Sequence, residues 1–95
     1  MIGLLAFSKA GHDKQEIYMI VAEDAEHVYL CDGRLRPLTH PKKKNKKHIQ
    51  LIKQGYDKTI REKLLSGLQV RDEEIKRAIK IYKAKEVTDV KGGCN

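Results

Sequence analysis

Between Arg34 and Lys53 the chain places Arg34, Arg36, Lys42, Lys43, Lys44, Lys46, Lys47 and Lys53 without one acidic residue. Both prolines of the sequence, Pro37 and Pro41, fall in the same stretch, beside His40 and His48. Eight like charges this close repel one another, and a Debye length of roughly 8 Å screens that repulsion only in part. A polyanion relieves the repulsion and releases its own condensed counterions. The chemistry these residue types suggest is the gripping of phosphate groups.

Other chemistries find weaker footing. His12, His27, His40 and His48 are scattered, and Cys31 and Cys94 form no CxxC, so no metal site is expected. Cys31 could be combined with a histidine and Asp32 as a nucleophile set. It sits in an apolar run, however, where buried inert thiols are common. Asp24 and Glu26 read as a turn, and Asp72, Glu73 and Glu74 as a helix start, rather than as paired catalytic carboxylates. Gly11 and Gly33 are isolated turn glycines, not a nucleotide-cradling loop. The expectation is a non-enzyme with no cofactor.

The charge is segregated along the 95 residues, which suffice for one small domain and an appendage. Twenty Lys and Arg against 13 Asp and Glu give +7 and a pI near 9.5. Residues 1–33 carry a local −4, residues 34–53 carry +8, and residues 54–95 carry +3. General solubility needs no such segregation; a functional electropositive face does. Trp is absent and there are one Phe and four Tyr, so any base-stacking platform is small. No secretory signal is visible, and no apolar run approaches the ~20 residues of a membrane span. A cytoplasmic protein with no membrane partner is expected.

The elements that must position these cations are short. Ile2–Ser8, Ile17–Ala22 and His27–Cys31 read as strands separated by polar turns at 9–14 and 23–26. Asp32-Gly33 is a tight-hairpin signal, Leu35–Leu38 a short fourth strand closed by Pro37, and His48–Ile52 a fifth entered from the lysine run. Five short strands in about fifty residues predict a small, closed or nearly closed antiparallel barrel. Phe7, Tyr18 and Tyr29 read as core or half-core. After Gly55 the period changes. Asp57–Ser66 reads as a helix with Asp57 or Thr59 as N-cap, Thr59 and Glu62 as a capping box, and Gly67 as stop. Residues 72–86 read as a second helix, with Ile75, Ala78, Ile79 and Tyr82 on one stripe. Its acids lie in the first turn and Lys80, Lys83 and Lys85 in the last turns, as the helix dipole favours. Residues 87–95 show no period and read as a flexible tail.

Three segments carry a family resemblance: Ser8-Lys9-Ala10-Gly11-His12-Asp13-Lys14, Cys31-Asp32-Gly33-Arg34-Leu35-Arg36-Pro37-Leu38 and Pro41–Gln50. In order and spacing they resemble KOW-domain RNA-binding proteins. More narrowly, they are similar to small, mainly Firmicute proteins related to a KOW-containing large-subunit ribosomal protein of archaea and eukaryotes. The likeness covers residues 2–52. It implies a mainly β fold, a five-stranded SH3-like barrel whose first β-turn contacts RNA, here followed by two C-terminal helices. His12 stands where the family usually has Arg, and Gln15 where it usually has Gly. A histidine neutral for much of the time near pH 7 grips phosphate less firmly.

The expected organisation is a barrel over 1–53, a helical extension over 54–86 and a tail over 87–95. The expected RNA contacts are Lys9, His12 and Lys14 in the first turn, then Arg34 and Arg36, Lys42, Lys43, Lys44, Asn45, Lys46, Lys47 and His48. On a strand Arg34 and Arg36 would share a face, while the lysines act as point charges along a backbone. Ribosomal RNA or the ribosome is the expected partner. The rival is a protein-interaction adaptor that uses the barrel face or the Ile75/Ile79/Tyr82 stripe. A third reading makes the lysine run a solvated loop without ligand.

Overall fold

The computed structural model describes residues 1–8 and 16–94. Five strands form one antiparallel sheet: β1 (Leu4–Ser8), β2 (Ile17–Glu23), β3 (His27–Cys31), β4 (Lys42–Asn45) and β5 (Ile49–Tyr56). Helices α1 (Lys58–Leu65) and α2 (Asp72–Cys94) follow. The sheet order is β4-β3-β2-β1-β5, so its two outermost strands are consecutive in sequence. A single 3-10 turn, Lys46–His48, joins them. In a flat sheet these edges would stand about 19 Å apart, at roughly 4.8 Å per strand. The chain from Asn45 to Ile49 spans at most about 14 Å even fully extended. The sheet therefore curls until its edges approach. The result is a mainly β half-barrel with two helices, compatible with a small SH3-like barrel.

Both faces of the sheet are buried at β1, β2 and β3, which explains why these strands read as nearly continuous apolar runs. One face carries a row of paired residues, Cys31, Met19, Leu5 and Ile52, running across β3, β2, β1 and β5. Ile60 of α1 and Ile75 and Ile79 of α2 pack on that row. The opposite face lines the inside of the curl, with Ala6, Tyr18, Ile20, Val28, Leu30 and Ile49. Phe7 packs at the helix side, Tyr18 lies inside the curl, and Tyr82 packs with the helix stripe as its spacing suggests. Tyr29 is half-buried, its hydroxyl 3.4 Å from the Asp24 carboxylate. Asp24 also accepts the amides of Glu26 and His27, closing the β2–β3 turn. Those amides, that of Glu26 foremost, hold its carboxyl below the ordinary range.

Helix ends are closed by side chains. Asp57, not Thr59, caps α1 by accepting the Ile60 amide at 2.9 Å. At the other end Gly67 adopts φ +75°, a conformation that glycine reaches without steric cost. Leu68 then donates to the Lys63 carbonyl at 2.8 Å. Ahead of α2 the Glu74 carboxylate accepts the Arg71 amide and pairs with Lys63, tying α1 to α2. Lys63, and then the Arg71 amide, lower the Glu74 pKa.

Four expectations require correction. Leu35–Leu38 is not a strand but part of a bend, and the lysines of 42–45 form the fourth strand instead. Asp32-Gly33 does not make a tight hairpin; residues 32–41 form one long connection between β3 and β4. The fifth strand starts at Ile49, leaving His48 in the 3-10 turn, and runs past residue 53 to Tyr56. Helix α2 continues through residues 87–94, where no period was legible. Once a turn exists, each added residue gains a hydrogen bond, so Lys83-Ala84-Lys85-Glu86, all good helix formers, carry it onward.

Ile75 has no exposed surface and sits between α2 and the sheet. Ile75→Ala should lower unfolding stability by about 2–4 kcal/mol, the usual cost of such a cavity. Urea denaturation followed by circular dichroism measures this. A loss below about 1 kcal/mol would mean that α2 is not docked on the sheet.

Candidate nucleic-acid interface

The residues that follow β3 are held by one carboxylate. Asp32 accepts the amides of Arg34 at 2.8 Å and Arg36 at 2.9 Å, while its own amide donates to the Arg36 carbonyl at 3.0 Å. Such side-chain-to-backbone bonds compete directly with strand pairing, which is why the expected fourth strand does not form. Gly33 takes φ +78° against the first turn of α2. A Cβ there would lie 2.4 Å from the Asp72 carbonyl oxygen and 2.6 Å from Lys76 Cγ. Asp72 in turn accepts the Leu38 amide at 2.7 Å, and Leu38 packs into the helix-side core. Arg34 is left exposed and Arg36 half-buried, so the two arginines are not neighbours on one strand face.

The lysine run is an edge strand. Its register pairs Lys42 with Leu30, Lys43 with Tyr29, Lys44 with Val28 and Asn45 with His27. Paired residues share a face, so Lys42 and Lys44 belong to the inner side of the curl and Lys43 to the helix side. Lys42 leans inward, its ammonium 5.5 Å from the Tyr18 ring centroid, within cation–π range. Lys42 and Lys44 are half-buried and Lys43 is exposed. Lysines on an edge strand also discourage pairing with another sheet. Alternation therefore divides the three lysines of β4 between two faces, while Lys46 and Lys47 follow in the 3-10 turn.

In the turn that follows, Asn45 Oδ1 accepts the Lys47 amide at 2.9 Å, so that oxygen already has a structural partner. Lys46 Nζ lies 3.6 Å from Glu23, which offsets part of its charge. Lys47 and His48 are exposed beside it, as is His40 at the end of the preceding connection. Lys9, His12 and Lys14, expected in the first turn, lie outside the described residues. Thus Arg34, Lys43, Lys47 and His48 are fully available, while Arg36, Lys42, Lys44 and Lys46 are partly so.

A basic surface on α2 was not anticipated. Arg34, Lys76, Lys80 and Lys83 line a groove of about 280 Å³ between the Asp32-capped turn and one flank of the helix. The sequence periodicity ends this helix near residue 86 and so places Lys80 and Lys83 in its last turns, where the dipole favours cations. With α2 reaching Cys94 they stand mid-helix, and the dipole acts only over the terminal turn. The i, i+4, i+7 spacing of Lys76, Lys80 and Lys83, one step along from the apolar stripe, was the available signal.

Cys31 is fully buried, and its thiol donates to the Pro37 carbonyl at 3.5 Å. Burial first, then the charges of Asp72 and Asp32, push its pKa up to about 12. Among the described residues no three of His, Cys, Asp or Glu converge as metal ligands, and no helix is long and apolar enough to cross a membrane. In Cys94→Ser protein, a thiol reagent at pH 8 should label Cys31 only as denaturant unfolds the chain. Native labelling at the rate of a free cysteine would contradict its burial. The raised pKa keeps the proton on folded Cys31 where the unfolded chain releases it. Its contribution is therefore intact below the ordinary value of 9.0 and is lost as pH climbs toward 12.

No protein-family model matches the chain, and no curated protein matches it. Its functional reading stands on charge, geometry and the motifs in residues 2–52.

Proposed function

We propose that this chain is a non-catalytic RNA-binding protein of the KOW type, cytoplasmic and associated with ribosomal RNA or the ribosome. The observation that carries the reading is the placement of the +8 segment. It is built into a sheet edge and a carboxylate-braced connection instead of trailing as a loose tail. Cations pre-positioned on a rigid scaffold lose little entropy when they meet phosphates. Lysines supply affinity with little sequence preference, and Arg34 supplies a planar, forked donor that suits a phosphate or a base face.

The adaptor reading loses its most specific support, because Ile75 and Ile79 are buried against the sheet and Tyr82 packs beside them. Structured RNA is favoured over duplex DNA by the motif resemblance, since charge alone does not separate them.

If about five to eight phosphates are contacted, log K for ribosomal RNA should fall against log salt with a slope of roughly −4 to −7. The paired replacement Lys43→Gln and Lys47→Gln should flatten that slope by about 1.5–2, near one unit per lysine. Lys46→Gln should change it less, because Glu23 already offsets that charge. Filter binding across a salt series measures all three. A wild-type protein that binds no RNA in dilute buffer, or a slope untouched by the double variant, removes the reading.

A further inference from the structure

The groove between the Asp32-capped turn and α2 has a composition that the sheet edge does not explain. Its cations come from two distant parts of the sequence, Arg34 from one and Lys76, Lys80 and Lys83 from the other. None of the four has an ion-pair partner among the described residues, and all four are exposed. Helices usually relieve such a row with acids at i±4, because like charges at that spacing destabilise a helix. Here Lys76 and Lys80 are four apart, and Lys80 and Lys83 three apart. Acids at helical spacing stand only at the ends of the row, Asp72 and Glu73 before Lys76 and Glu86 after Lys83, and none is three or four residues from Lys80. The turn adds a further positive charge, and Gly33 permits the close approach that brings it there.

We propose that this groove is a second phosphate-binding site, through which the phosphodiester backbone of one RNA strand passes on leaving the sheet edge. The inference rests on the RNA-binding reading and extends it to α2. At 1.5 Å of rise per residue, the three lysines span about 10 Å of helix, enough to meet two or three successive phosphates. Arg34 faces them from the turn. Ile17 and Ile79, buried in the helix-side core, lie beneath the groove. At about 280 Å³ the groove has room for a segment of a strand. Two carboxylates also line it. Asp32 keeps its charge at the foot of the turn while it accepts the amides of Arg34 and Arg36, and Glu16 places a second negative charge at the start of β2. That charge disfavours a phosphate beside Ile17 and confines the backbone to the α2 side.

The test compares two triple variants of the full chain with equal loss of charge. Lys76→Gln/Lys80→Gln/Lys83→Gln empties the groove of its helix cations. Lys58→Gln/Arg71→Gln/Arg77→Gln removes three exposed cations that do not line it. Both sets of side chains are solvent-exposed, and circular dichroism confirms folding. Binding to a short, labelled, mixed-sequence single-stranded oligoribonucleotide is read by fluorescence anisotropy across a salt series. The groove variant should lose roughly ten- to hundred-fold in affinity at low salt and flatten the slope by about 1.5–2. The control should lose less than about threefold, the cost of a more distant, screened charge. Equal losses would reduce the effect to net charge and overturn the proposal. Wild-type binding by the groove variant would overturn it while leaving the RNA reading in place. Failure of the wild-type protein to bind the oligonucleotide or ribosomal RNA removes both.

Discussion

Both faces of the curled sheet must be buried at once, and the other features of the molecule answer to that requirement. Met19 and Ile20 are adjacent in β2, point to opposite faces, and have no exposed surface. A single layer of short strands cannot shield both. Curling covers one face, because the sheet closes over Tyr18, Ile20, Val28 and Leu30. The helices cover the other, through Ile60, Ile75 and Ile79. A fifty-residue barrel has little core of its own, so the helical extension completes the domain and is no mere appendage.

That arrangement also decides where charge can go. With two apolar faces covered, the surfaces left for concentrated cations are the sheet edge, the connections, and the outward flank of α2. β4 is the edge, and its residues are lysines and an asparagine. Such side chains keep an outermost strand from recruiting another sheet, and the proposed function adds that they present ammonium groups to a phosphate backbone. Alternation makes the lysines unequal. Lys42 stretches its stem over Tyr18, Lys46 faces Glu23, and Lys43 and Lys47 extend into solvent.

The connection from Asp32 to Pro41 joins the two halves of the molecule. Asp32 organises it from within, and Asp72 at the start of α2 fastens it from outside through the Leu38 amide. Both carboxylates keep their negative charge while they accept these amides. Both raise the Cys31 pKa from beneath, though less than burial does. A cluster that looks from its residue types like nucleophile and acid thus serves to hold a turn in place.

Much of this was readable from residue types and spacing. Continuous apolar runs marked β1, β2 and β3, the Gly67 stop marked the end of α1, and the Ile75, Ala78, Ile79, Tyr82 stripe marked the docked face of α2. These signals are local, arising from periodicity and backbone preference within a few residues. The lysine strand was not readable, because lysine favours no strand by itself; pairing with Val28 and Leu30 places it there. Nor was the bend at Leu35–Leu38, where the Asp32 side chain outcompetes a ladder for the Arg34 and Arg36 amides. The sequence alone determined that cations are concentrated and that a small β scaffold carries them. Tertiary structure decided which of them share a face and brought Arg34 to the lysines of α2, because that juxtaposition depends on curling and docking between segments far apart in the chain.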